Sequence, residues 1–108
     1  LVNSTAPLTV LGDFSMDEKT VNIHPNDGFD LGLMTTEHVA RIYVGEDKDP
    51  DELPESAFTY GKVYLKNEVR AGHVELGLRS AEKLGGAKKA VVRHQQGERY
   101  GTLLIVPA

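Results

Sequence analysis

The sequence predicts a mainly β fold, a single small β-barrel or β-sandwich of six to eight short strands with one short helical turn near residues 80–85. Three observations lead there. Apolar residues recur at every second position along most of the chain, which is the period of a strand and not of a helix. Glycine and proline, 11 and 5 of them, break these runs at short intervals. The 108 residues are 40% hydrophobic and 26% charged, enough for one domain with its own core.

Residues 1–7 (LVNSTAP) are too short and too polar for the apolar part of a signal peptide and read as a flexible or docking arm. The domain proper runs over 8–108. Leu8 to Leu11 is an apolar run ahead of Gly12. Lys19 to His24 alternates, with Val21 and Ile23 opposed to Thr20, Asn22 and His24. Pro25-Asn26-Asp27-Gly28 has turn chemistry: proline presets one dihedral and Asp-Gly tolerates positive φ. Phe29, Leu31 and Leu33 then alternate with Asp30 and Gly32, which predicts a strand folding back as a hairpin.

From His38 to Val44, Ala40, Ile42 and Val44 share one face, and Val39, Arg41 and Tyr43 the other. A long acidic loop over 45–58 follows. In Tyr60 to Lys66, Val63 and Leu65 oppose Lys62, Tyr64 and Lys66. Val74, Leu76 and Leu78 keep the two-residue period against Glu75, Gly77 and Arg79. Ser80 is placed to cap a helical turn over Ala81–Leu84, and Gly85-Gly86 to end it in the left-handed conformation. Ala90 to His94 and Tyr100 to Val106 are the last two strands. The unbroken run Leu103–Val106 predicts a strand covered on both faces, and Pro107 stops it.

Val74-Glu75-Leu76 through Ala81-Glu82-Lys83-Leu84-Gly85, followed by Ala90-Val91-Val92-Arg93, resembles the strand–short helix–strand unit of double-psi and related small barrels. That unit usually has a Gly-Asp pair before its second strand, where this chain reads Gly86-Ala87-Lys88-Lys89. The resemblance covers about twenty residues and speaks to topology, not to activity.

With no cysteine, the chain has no disulfide, thiolate metal site or cysteine nucleophile. No stretch approaches the ~20 apolar residues of a membrane helix. A net charge of -4 argues against general nucleic-acid binding, and it hides a strong asymmetry. Residues 1–45 carry -4, residues 46–55 carry -5, and residues 56–108 carry +5. If folding does not interleave these blocks, the surface is acidic at Glu46–Glu55 and basic around Lys62, Lys66, Lys88, Lys89 and Arg93. A bipolar surface of that kind favours association with copies of itself or with a charged partner.

Candidate sites are sparse. Asp47, Asp49 and Asp51 have the alternate spacing of an EF-hand's first donors, but Glu52 stands where the loop needs glycine and Phe58 where it needs a bidentate glutamate. His24, Asp27, Asp30 and His38 are the one inventory that a transition metal or an acid–base pair could use, though without a His-Glu-x-x-His or His-x-His motif. No serine sits in a Gly-x-Ser-x-Gly elbow, and there is no phosphate-binding glycine loop. Tyr60, Lys62, Tyr64 and Lys66 share a strand face as in single-strand nucleic-acid binders, a minor option beside the acidic loop.

The expectation is therefore a non-catalytic module that binds proteins, itself or a larger assembly such as a capsid, without a cofactor or a membrane. Its contacts are expected at Asp47, Asp49, Asp51, Glu52, Tyr43, Tyr60, Tyr64, Lys62 and Lys66. Deleting the acidic loop is expected to weaken association and spare the fold. The alternatives are a small-ligand or metal-binding, possibly hydrolytic, domain around His24, Asp27, Asp30 and His38, and a barrel for single-stranded nucleic acid.

Overall fold

The computed structural model describes residues 2–108. Eight strands and two short helices follow in order: β1 (Val2–Ser4), β2 (Leu8–Asp13), β3 (Thr20–Ile23), α1 (Pro25–Asp30), β4 (Glu37–Val44), β5 (Thr59–Leu65), β6 (His73–Gly77), α2 (Leu78–Glu82), β7 (Lys89–Gln95) and β8 (Gly101–Pro107). Single 3₁₀ turns occupy Pro50–Glu52 and Glu55–Ala57. Seven strands close a barrel in the order β7-β2-β6-β3-β5-β4-β8, with β8 pairing back onto β7. β1 is an extra strand outside that ring. It lies on the stretch of β7 that β2 leaves free, with Val2 opposite Gln95 and Leu8 opposite Ala90.

The expected arm over 1–7 thus enters the sheet from Val2 onward. Thr5 is buried and fastens it: its N–H donates to the Val92 carbonyl at 2.9 Å, and its Oγ1 accepts from the Val92 N–H at 3.1 Å. The strand–helix–strand unit anticipated near 74–93 is present as β6, α2 and β7. β2 runs between its two strands, parallel to β6 and antiparallel to β7.

β2 and β3 flank β6, so the connection between them crosses over the end of that strand. Two glycines make room for the crossing. A Cβ on Gly77 would stand 2.6 Å from the Met16 carbonyl oxygen and 2.8 Å from that of Asp17. A Cβ on Gly61, in β5, would collide with the Lys19 carbonyl. Met16, Asp17 and Lys19 therefore lie directly against strand backbone.

The two-residue period places the core as expected. Val21, Ile23, Ala40, Ile42, Val63, Val74, Leu76, Val92, Leu103 and Ile105 point inward and are almost wholly buried. Side chains fill the interior, as in other small barrels. The run Leu103–Val106 is covered on both faces because a second, smaller cluster lies outside the barrel. There Tyr43, Phe58, Leu104 and Val106 pack with Leu53, Ala57 and Val91. Leu53, Ala57 and Phe58 belong to the acidic loop, which folds back over β4, β8 and β7.

Two expected elements differ. Residues 25–33 form no hairpin strand but helix α1 and the turn after it. Pro25 at the first helical position is preorganised for a helix, and the His24 side chain accepts the Asn26 N–H at 3.0 Å as its N-cap. The apparent alternation at Phe29, Leu31 and Leu33 arises because Leu31 and Leu33 turn inward after the helix while Phe29 stays 67% exposed. The helical turn near 80–85 begins earlier, at Leu78, with Gly77 as N-cap, so Ser80 is buried inside α2 and does not cap it. Glycine at 77 is required by the crossing loop, and the strand ends there. The helix ends at Glu82 with Lys83 as its right-handed C-cap, so Gly85 and Gly86 do not end it; they take the left-handed conformation in the turn that follows, at φ +64° and +83°.

Candidate functional site

The acidic loop is tied down by the basic residues beneath it. Asp47 makes a two-pronged ion pair with Arg93, at 2.5 and 3.2 Å, and these hydrogen bonds hold its carboxyl below the usual carboxylate range. Glu55 pairs with Arg41 at 3.2 Å. The Arg41 guanidinium also lies 4.2 Å above the Phe58 ring and donates through Nε to Thr102 Oγ1 at 2.7 Å. Asp49 Oδ1 accepts the Asp51 N–H at 2.9 Å, capping the first 3₁₀ turn. Asp51 and Glu52 face solvent.

The expected contact residues do not form one surface. Tyr43 is buried under the loop. Its hydroxyl donates to the Glu46 carbonyl at 2.8 Å, and burial, with Glu46 and Asp47 nearby, pushes its phenol pKa up. Tyr60 is exposed, edge-on to Tyr100 at 5.4 Å, and bonded to the Glu55 carboxylate, which raises its pKa. Lys62 pairs with Glu37 at 3.4 Å, and Lys66 Nζ lies 5.3 Å from the half-buried Tyr64 ring.

The other candidates are used locally. His24 caps α1, and Asp27 Oδ2 accepts the Gly72 N–H at 2.9 Å. Asp30 is exposed at the end of α1. His38 Nε2 accepts the Thr35 N–H at 3.2 Å and lies 3.0 Å from its hydroxyl. Among the described residues no three His, Asp or Glu side chains are grouped so as to hold a metal ion. None of the described helices is long and apolar enough to cross a membrane.

A different surface stands out, at the barrel end where the crossing loop meets α2. Phe14 is 87% exposed and Leu78 45%. With Met16 they line a cleft of about 660 Å³ whose charged residues are Asp17, Glu18, Lys19, Arg79 and Glu82. On the other side of Leu78 a second cleft of about 640 Å³ runs along Val10, Ala81 and Ala87. Both clefts share Leu78 and Glu82, so the concave surface continues across α2.

The loop that carries Phe14 is held at both ends. Asp13 Oδ1 accepts the Ser15 N–H at 2.8 Å and its hydroxyl at 2.6 Å, which lowers the Asp13 pKa. Asp17 Oδ1 accepts the Lys19 N–H at 2.9 Å and the Thr20 hydroxyl at 3.0 Å. Sequence reasoning passed over this site. Its signal was an aromatic residue, Phe14, inside a turn-rich Gly-Asp-Phe-Ser-Met-Asp segment between two strand-like runs. No family model, curated protein or solved structure matches this chain.

Proposed function

We propose that this barrel is a non-catalytic protein-interaction module and that it binds through Phe14, Leu78 and the clefts on either side of α2. The observation that carries the reading is Phe14, a phenylalanine left 87% exposed on a hydrogen-bonded loop. Burying a side chain of that size contributes about 1.5–3 kcal/mol. A pre-ordered aromatic beside an apolar cleft with a charged rim has the make-up of an interface hot spot. The filled barrel interior agrees, since it leaves recognition to the outer surface.

The acidic loop has a different role in this reading from the one its composition suggested. Two of its carboxylates, Asp47 and Glu55, meet Arg93 and Arg41 of the same chain, and Leu53, Ala57 and Phe58 seal the outer cluster. A photoreactive benzoylphenylalanine at position 14, in the cells that make the protein, tests the proposal. The expected result is a protein adduct, to another protein or to a second copy of the chain, formed well above the level given by the same group at exposed Glu98. Labelling no stronger than with the same group at exposed Glu98 would overturn it.

A further inference from the structure

We infer that the partner on this surface is a second copy of the chain, placed by a two-fold axis so that the two α2 helices lie antiparallel; the inference rests on the protein-binding reading above. α2 exposes Leu78, Arg79 and Glu82 and buries Ser80. Arg79 and Glu82 are opposite charges three residues apart, so they lie on neighbouring positions of one helix surface. Turning that surface over on itself sets Arg79 of each copy against Glu82 of the other. The two pairs are equivalent, which is the self-complementarity that an isologous dimer requires.

The rest of the cleft agrees. Its rim carries Asp17, Glu18 and Glu82 with Lys19 and Arg79, a mixture that does not repel its own image as a rim of one sign would. Glu18 is already joined to Lys83 at 4.0 Å, which leaves Arg79 and Glu82 for the crossing pair. Phe14 supplies the knob and the space beside Leu78 the hole, both on one patch. Each copy therefore offers what the other receives, and the contact closes after two subunits instead of continuing as a filament.

Sedimentation and light scattering on the purified chain, between about 1 and 100 µM, test this, since interfaces of ordinary size span micromolar and tighter affinities. The wild type is expected as a dimer. Phe14→Asp, Arg79→Glu and Glu82→Arg each alter an exposed side chain, so each is expected to melt like the wild type and to run as a monomer. An equimolar mixture of Arg79→Glu and Glu82→Arg is expected to form a one-to-one heterodimer, because both crossing pairs become opposite in charge again.

A wild-type monomer throughout the range overturns the inference, as does a dimer that survives any of the three substitutions. A mixture that stays monomeric overturns the antiparallel pairing. Adduct formation at position 14 in cells is read separately. A monomer whose adduct at position 14 is to another protein loses the self-partner and keeps the protein-binding module; a chain whose labelling at position 14 does not exceed that at Glu98 loses the module.

Discussion

Some positions accept one residue type because of what crosses them. Gly61 and Gly77 carry the backbone of Met16, Asp17 and Lys19, and Gly101 lies against the His94 ring. Gly61→Ala forces the loop off β5, and its expected cost is about 1–3 kcal/mol or more, the scale of overpacking in a tight interior, measured by urea denaturation. His94 is buried, and its Nδ1 lies 3.1 Å from the Leu31 carbonyl oxygen, an acceptor, so Nδ1 carries a proton and donates to it. Burial lowers its pKa; the Leu31 hydrogen bond opposes this, and His38 adds to the lowering. The unfolded chain then takes up the proton first as pH falls. Stability should be level above about pH 6.5, the ordinary histidine value, and fall below it towards the lower folded-state pKa, because there the unfolded state binds more protons. Chemical denaturation across that range should show this slope in the wild type and a smaller one in His94→Gln.

Among the elements, the strands were legible because half-buried pleated sheet leaves alternation in the sequence: Val63 and Leu65 against Lys62 and Tyr64 needed no further information. The helices were harder to read. Pro25, Asn26, Asp27 and Gly28 have the chemistry of a turn and also of a helix start, and a six-residue helix leaves no 3.6-residue period to separate the two. Gly28 fits the helix for a reason of packing, since a Cβ there would stand 2.5 Å from Leu65 Cδ2. Leu78 continued the alternation of Val74 and Leu76, yet α2 begins there and turns it outward, which is how the contact surface escaped notice. The acidic loop was read from its charges, while Leu53, Ala57 and Phe58 settle its place by sealing Tyr43, Leu104 and Val106. Deleting the loop should therefore not spare the fold, contrary to the expectation from composition. Phe58→Ala should cost about 3 kcal/mol, the low end for burying no phenyl ring in a packed site, and should speed proteolysis within 45–58, both readable by denaturation and limited digestion.

For the whole molecule, closure of the ring separates what holds the barrel from what is added to it. β7 meets β8 along seven strands' worth of circuit without help from β1, so the barrel is complete once β7–β8 pairing forms. β1 instead covers the open edge of β7 at Arg93–Gln95, and Thr5 satisfies both backbone groups of Val92. The charge blocks are interleaved as well: Arg93–Asp47, Lys62–Glu37 and Lys83–Glu18 pair basic residues of 56–108 with acidic residues of 1–55, so the asymmetry along the sequence is partly cancelled across the barrel. A chain lacking residues 1–7 should keep its near-ultraviolet circular dichroism and melt in one transition. Its midpoint should be lower, since a buried backbone N–H left unpaired costs about 1–3 kcal/mol. It should also associate more readily through the bared edge, as uncovered strands do. Adding the peptide LVNSTAP in excess should raise the midpoint again, because a ligand that binds only the folded state stabilises it by mass action. Loss of the cooperative transition on truncation would mean that β1 belongs to the closed structure and does not merely shield it.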